Sequence, residues 1–331
     1  MKEKDQEKLM AKAQVLLKQK GQKAFQIAKK SVLQEKNGKS PVIEAIRYFM
    51  DNWRDVHHPA LLSLACEAVG GNPSVTTQAG AATVLLASAA DIHDDVIDQS
   101  KIKDGKPTVY GKFGKETALL AGDFLLLKGI TLLYENGKAL SQKQIQATEN
   151  LLLQAVLEVS SAELKEVAFR GNFNVTSEEY FSIIEAKATI AKASMHIGAI
   201  LGNGNPKEID ALGNYGRILG ILMKIRDDFI DVFEPDELEN RFKNECLPLP
   251  ILYAFQNSKA KSKIMSIFEK TRLSGDDAYK IVEIVVATTG FGNLRKRIAG
   301  LVEEGLVSIG FVDKPIASNL ALVLRAATED L

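Results

Sequence analysis

The sequence predicts an all-α protein: residues 1–331 as a single domain, a bundle of about ten or more helices. Three observations carry this. Apolar residues recur three and four apart through most of the chain, and alternating β-branched runs bounded by Asn-Gly turns are absent. The breaks are short: "GGNPS" (70–74), "KDGKPT" (103–108), "ENGKALS" (135–141), "RGNFNVTS" (170–177), "GNGNPKE" (202–208) and "FEPDE" (233–237), none long enough for a domain linker. A hydrophobic content of 46% supplies a large core.

Residues 1–36 form a basic helical region, with ten Lys against Glu3, Asp5, Glu7 and Glu35. A solvated amphipathic helix is the expectation there, ahead of a membrane-surface or partner role. No apolar stretch follows the opening charges, so a signal peptide is not expected and the localisation expected is cytoplasmic. The longest near-apolar run, "AGAATVLLASAA" (79–90), falls short of the ~20 residues of a bilayer span. Cys66 and Cys246 have neither metal nor redox spacing and read as structural thiols. Lys+Arg and Asp+Glu are both 42, and no basic-aromatic motif points to nucleic acid. Residues 147–168 are periodic throughout. The segment from Thr176 to Leu201 opens with a capping residue and with Glu178 and Glu179 in its first turn, against the helix dipole.

Two acidic triplets interrupt this apolar pattern. Asp94, Asp95 and Asp98 lie in "ADIHDDVIDQS", and Asp227, Asp228 and Asp231 in "IRDDFIDVF", a constant 133 positions later. On a helix, positions i and i+4 share a face and i+1 lies beside them. Like charges so placed repel, and burying them without partners costs several kcal/mol. One such triplet on a solvated face needs no ligand; two in apolar helices call for a multivalent cation. All-oxygen donors without a His/Cys set suit Mg²⁺, which keeps water and bridges to phosphate oxygens. Two facing triplets would clamp Mg²⁺ around a diphosphate and stabilise it as a leaving group. His93, next to Asp94, reads as a supporting or packing residue.

These residues resemble the trans-isoprenyl diphosphate synthases, or polyprenyl synthetases. "HDDVID" with "DGKPTVYGKFGKETALLAGDFLL" resembles the family's first aspartate-rich motif and its downstream helix. "RGNFNVTSEEYFSIIEAKATIAKASMHIGAILG" resembles the Lys-Thr helix, "GILMKIRDDFIDVF" the second aspartate-rich motif, and "HHPALLSLACEAVGG" the segment before helix D. The match runs from about residue 40 to 255. The resemblance implies the isoprenoid synthase fold around a deep central cavity, usually in a homodimer. It also implies three Mg²⁺ ions gripping an allylic prenyl diphosphate, whose ionisation gives an allylic cation that isopentenyl diphosphate then attacks. The metal ligands carried over are Asp94, Asp98 and Asp227, with Asp95, Asp228 and Asp231 supporting. Lys187 matches the lysine on the allylic diphosphate, although Ala188 replaces the following Thr. Lys103 stands at the first of two Arg positions after the first motif and is a further diphosphate contact on the same grounds. Met223-Lys224 departs from the family's Phe-Gln pair, and Lys224, one turn before Asp228, is a candidate either to pair with an aspartate or to touch the diphosphate.

Departures from the family pattern gather at the acceptor side. Asp55 stands at a Lys position, His58 and Asp104 at Arg positions, and Ala87 at a His or Gln position. An anionic acceptor would lose charge-assisted hydrogen bonds there. The Gly-Lys loop after the second motif is replaced by "DELENRFKNECLPLP", where Arg241 or Lys243 are candidate substitutes. Ala89 and Ala90, with Leu86 one turn deeper, occupy the family's cavity-floor positions and point to a long prenyl chain. Three readings follow. The preferred one is an enzyme that ionises a prenyl diphosphate and uses an acceptor other than conventionally bound isopentenyl diphosphate. The second is a chain-elongating synthase with a C20 or longer product and a remodelled acceptor site. The third is a non-catalytic partner subunit. No transmembrane span is expected, and peripheral membrane contact would follow from a long apolar product.

Overall fold

The computed structural model describes residues 2–34, 40–135, 140–328 and 331, and they are helical almost throughout. The basic segment is one long helix, α1 (Lys2–Leu33), followed by α2 (Pro41–Asn52), α3 (His57–Ala68) and α4 (Thr77–Ile97). A two-stranded hairpin, β1 (Ile102–Lys103) and β2 (Lys106–Pro107), turns through Asp104 and Gly105, both at positive φ. Then come α5 (Val109–Phe113), α6 (Lys115–Glu135), α7 (Gln142–Ala168), α8 (Ser177–Lys187), α9 (Thr189–Leu201) and α10 (Pro206–Phe233). The chain closes with α11 (Pro235–Asn244), α12 (Leu249–Ala254), α13 (Ser258–Phe268), α14 (Gly275–Val286), α15 (Thr289–Ser308) and α16 (Lys314–Ala326). Met1, Glu35 and Lys36 of the basic region, and most of the 135–141 break, lie outside the described residues.

Local chemistry sets the helix starts. Ser40 caps α2 with Pro41 at its first position, and Thr176 and Glu179 form a reciprocal capping box on α8. One boundary departs from the periodicity. The helix expected from Thr176 to Leu201 breaks at Ala188 into α8 and α9. A Cβ placed on Gly220 of α10 would fall 2.9 Å from the Ala188 carbonyl oxygen, so α10 runs directly against the break. Close backbone packing overrides local propensity there.

The chain divides into two compact units. The first comprises Met1–Leu153, Ala193–Gly213 and Ile309–Leu322. Its core packs α1, α2, α4, α5 and α6 around Phe25, Ile46, Met50, Leu85, Ile92 and Leu125. α6 lies along α4, where Gly122 makes room for the His93 ring; a Cβ there would sit 2.3 Å from His93 Nε2. Residues Lys115–Tyr134 of α6 are long and apolar enough to cross a membrane by length and composition, and about a third of them are buried in the protein. Asp123 and Lys128 interrupt this run in the sequence. The outward face of α6 exposes Leu119, Leu120, Leu127 and Ile130. The second unit comprises Gln154–Lys192, Asn214–Ser308 and Val323–Leu331. Its core includes Phe181, Ile184, Tyr215, Leu222, Ile225 and Ile251, with α12 packed on α8, α14 and α15.

Candidate active site

In the first unit, α4 carries the first triplet on its last turns and splits it by face. Asp95 is buried, while Asp94 and Asp98 remain partly accessible. One carboxylate oxygen of Asp94 lies within 4.8 Å of one of Asp98. Asp94 Oδ1 is buried and accepts no hydrogen bond among the described residues. Such an orphaned acceptor costs free energy unless a cation or water meets it. Ala87 and Ala90 keep accessible surface on α4, as does Asp91. Ala89 is 2% exposed within the packed core, so of the two alanines expected at a cavity floor only Ala90 is open; Leu86 is half-buried. His93 fills the Gly122 notch, its Nε2 3.2 Å from the Leu119 carbonyl and 3.4 Å from Asp123, which is a packing role.

The altered acceptor positions also meet in the first unit. Asp55 precedes α3 and accepts the His57 and His58 backbone N–H groups at 2.9 and 3.2 Å, fastening the helix start. Its other oxygen lies 2.8 Å from His58 Nδ1. Burial would raise Asp55, but the charge and hydrogen bonds of His58 hold it below the ordinary carboxylate range. Burial would lower His58, but Asp55 and then Asp91 hold it above the ordinary imidazole value. Asp91 itself is raised by lost hydration, with Lys103 opposing and Asp94 and Asp55 reinforcing the shift. Asp91 chiefly raises Lys103, against lost hydration and with help from Asp95, Asp94 and Asp104, so the α4 carboxylates favour its charged form. Asp104 accepts the Trp53 indole N–H at 3.3 Å.

In the second unit, α10 splits its triplet in the same way. Asp227 is exposed and makes no hydrogen bond or ion pair among the described residues. Asp228 is 3% exposed and fully engaged: Oδ1 accepts from Arg241 Nη2 at 2.9 Å and from the Tyr180 hydroxyl at 3.2 Å, and Oδ2 accepts the Leu249 N–H at 2.8 Å. Asp231 lies between these extremes, half-buried, with Oδ2 3.7 Å from Arg241 Nε. Burial pushes its carboxyl up to about 7; Arg241 and Lys224 pull it down, and Asp228 and Glu237 push it further up. Lys187 is not an isolated cation. Its Nζ sits 2.7 Å from Glu163 and 2.5 Å from Glu166, both on α7. Burial would raise Glu166, but Lys187, Arg241 and Lys224 hold it down.

Both triplets therefore bury the middle aspartate and leave oxygen donors on the others. All-oxygen sets of this kind, the first with an orphaned buried oxygen on Asp94 and the second with the Asp231 carboxyl driven up by burial, each suit hard divalent cations. The model for the family described as "Polyprenyl synthetase" matches residues 42–285.

The chain belongs to the polyprenyl synthetase family. Membership places it in the prenyltransferase superfamily. It is 35% identical over 180 residues to a short chain isoprenyl diphosphate synthase of Methanothermobacter thermautotrophicus, an alignment covering 54% of each chain, so it spans about half the length of that relative. It is 28% identical to a geranylgeranyl diphosphate synthase of Methanosarcina mazei over 79% of this chain and 81% of that one. The fold is that of the geranylgeranyl pyrophosphate synthetase from Pyrococcus horikoshii: TM-score 0.85 at 22% identity, covering 97% of this chain and 98% of the other. The all-α isoprenoid synthase architecture expected from the sequence is thus the one present. The names of these relatives favour the chain-elongating reading over the unconventional-acceptor reading preferred from sequence alone.

Sequence reasoning missed Asp91, Tyr180, Glu163, Glu166 and the buried position of Arg241. Spacing offered one signal: Glu163 and Glu166 lie three apart and share a face of α7.

Proposed function

We propose that this polyprenyl synthetase family member is a Mg²⁺-dependent, chain-elongating trans-prenyl diphosphate synthase with a remodelled acceptor site. The observation that carries the reading is the matched split of the two triplets, each burying its middle carboxylate and keeping the flanking ones at least partly accessible, in a chain whose named relatives are prenyl diphosphate synthases. Asp94, Asp98, Asp227 and Asp231 would hold the Mg²⁺ ions. Bound there, Mg²⁺ neutralises charge on a departing diphosphate. Asp95 and Asp228 support their neighbours from within the helices. Lys103, whose charge the α4 carboxylates favour, and Lys224, which acts electrostatically on Glu166, Asp228 and Asp231, offer positive charge for the diphosphate. Lys187 would contribute from its seat between Glu163 and Glu166. The small, open Ala90 at a cavity-floor position favours a long prenyl chain, with C20 or longer as the product class.

A second reading rests on one specific observation. Where the family binds the acceptor's diphosphate with cations, this chain places the Asp55–His58 pair with Asp91 alongside, a setting unfriendly to an anion. Under that reading the allylic cation meets its own double bond, water or an uncharged second molecule. Incubating the full chain with Mg²⁺, a C15 or C20 allylic diphosphate and labelled isopentenyl diphosphate separates the two. Label in a longer prenyl diphosphate supports elongation. Diphosphate release that ignores isopentenyl diphosphate supports the second reading and overturns the first.

We further propose a homodimer. α6 presents Leu120 and Leu127 at 56% and 66% exposure, and α7 exposes Leu153, Leu157 and Leu164. Exposed apolar faces of this kind mark association surfaces.

A further inference from the structure

Arg241 lies on α11, in the segment that replaces the family's Gly-Lys loop, where a cation for the substrate would be sought. It is instead 8% exposed and committed to the protein's own acids. Nη2 bonds Asp228 at 2.9 Å and the Tyr180 hydroxyl at 2.5 Å. Nη1 bonds Glu245 at 2.8 Å and lies 3.6 Å from Glu166. Tyr180 closes the ring by donating to the same Asp228 oxygen. Glu166 passes the network on to Lys187. Only Nε carries no hydrogen bond among the described residues, and it faces Asp231 Oδ2 at 3.7 Å.

This distribution is selective. Arg241 Nη2 and the phenol occupy one oxygen of Asp228, and the Leu249 N–H takes a position on the other, so three of its roughly four acceptor positions are used from within the protein. Asp231 receives charge from Nε without a hydrogen bond and keeps its acceptor capacity. Asp227 is left open. A planar, always-charged fork can hold one carboxylate while leaving the next one free; a lysine ammonium, a single point charge, cannot hold that geometry. We propose that Arg241 is the positioning residue of the second aspartate cluster. It claims Asp228, thereby fixes the end of α10 so that Asp227 and Asp231 are the carboxylates offered to metal, and does not itself touch the substrate. This rests on the reading that the second cluster binds divalent cations.

The test uses the full chain and Mn²⁺ binding with inorganic diphosphate, followed by electron paramagnetic resonance, beside the KM for an allylic diphosphate at saturating metal. Arg241→Lys should weaken Mn²⁺ binding about tenfold and leave that KM within about twofold. Tyr180→Phe, which keeps the ring and loses one bond of the network, should weaken Mn²⁺ by a smaller factor and serves if the arginine variant does not fold. Asp228→Asn combined with Arg241→Lys should be no worse than either alone, because the two act as one unit. Wild-type Mn²⁺ affinity in a folded Arg241→Lys, or in Tyr180→Phe should the former not fold, would overturn the proposal. So would a raised KM at unchanged metal affinity, which would make Arg241 a substrate contact. Asp227→Ala is the separate control: if it binds Mn²⁺ as the wild type does, the metal reading itself fails.

Discussion

Asp231 gives the sharpest quantitative expectation. Burial raises its carboxyl from an ordinary 3.8 to about 7 in the metal-free protein, despite Arg241 and Lys224. A carboxyl raised on folding holds its proton more tightly in the native state than in the unfolded chain. Its contribution is neutral to stability below pH ~4 and turns unfavourable as pH rises toward 7. At ~1.4 kcal/mol per pH unit, the interval from 3.8 to about 7 is worth about 4 kcal/mol at pH 8, an upper bound since a fifth of the side chain is accessible. Asp231→Asn removes the buried charge with little change of shape. Thermal unfolding of metal-free protein at pH 5 and pH 8 should therefore show the variant ahead of the wild type by at most about 1.6 kcal/mol at pH 5 and by clearly more, several degrees in Tm, at pH 8. Mg²⁺ with diphosphate should stabilise the wild type at pH 8 and much less at pH 6, since the ligand must first lose its proton, and should do little for the variant. A variant that is less stable than the wild type at pH 8, with the pH dependence unchanged, would refute the reasoning.

Other expectations follow from the same geometry. Asp94→Asn and Asp227→Asn should each lower turnover by at least about 100-fold with circular dichroism unchanged, the size of effect seen when one charge-stabilising group is lost. Gly122→Ala places a methyl against His93 and should cost about 1–3 kcal/mol in urea unfolding; adding His93→Ala should recover most of it. Leu127→Glu on α6 should shift the sedimentation of the full chain from dimer to monomer with the helix content retained.

Much of the fold was legible because helical periodicity and short breaks are local signals, and the aspartate pairs because i and i+4 spacing is a property of one helix. The split within each triplet was not legible. It depends on which flank of α4 or α10 a neighbouring element covers, and Asp95 and Asp228 differ from their neighbours only by that. Arg241 reaches Asp228 across 13 residues and Tyr180 across 61, separations without any helical phase. The break at Ala188 was invisible for a related reason: alanine favours helix, and what packs against the break is a glycine on another helix. Lys187 was singled out by motif, but its capture by Glu163 and Glu166 requires α7 beside it. Ala89 and Ala90 are adjacent in sequence and opposite in fate, one packed and one open.

The central claim is that both aspartate clusters act through divalent metal to break the bond to a prenyl diphosphate. The most direct measurement is single-turnover consumption of a C15 or C20 allylic diphosphate by the full chain with Mg²⁺ and isopentenyl diphosphate, compared with chelator and with Asp94→Asn and Asp227→Asn. Consumption into a longer prenyl diphosphate, abolished by chelation and by either substitution, is the predicted result. A folded wild-type protein that leaves the allylic diphosphate intact, or either variant consuming it at the wild-type rate, would contradict the account.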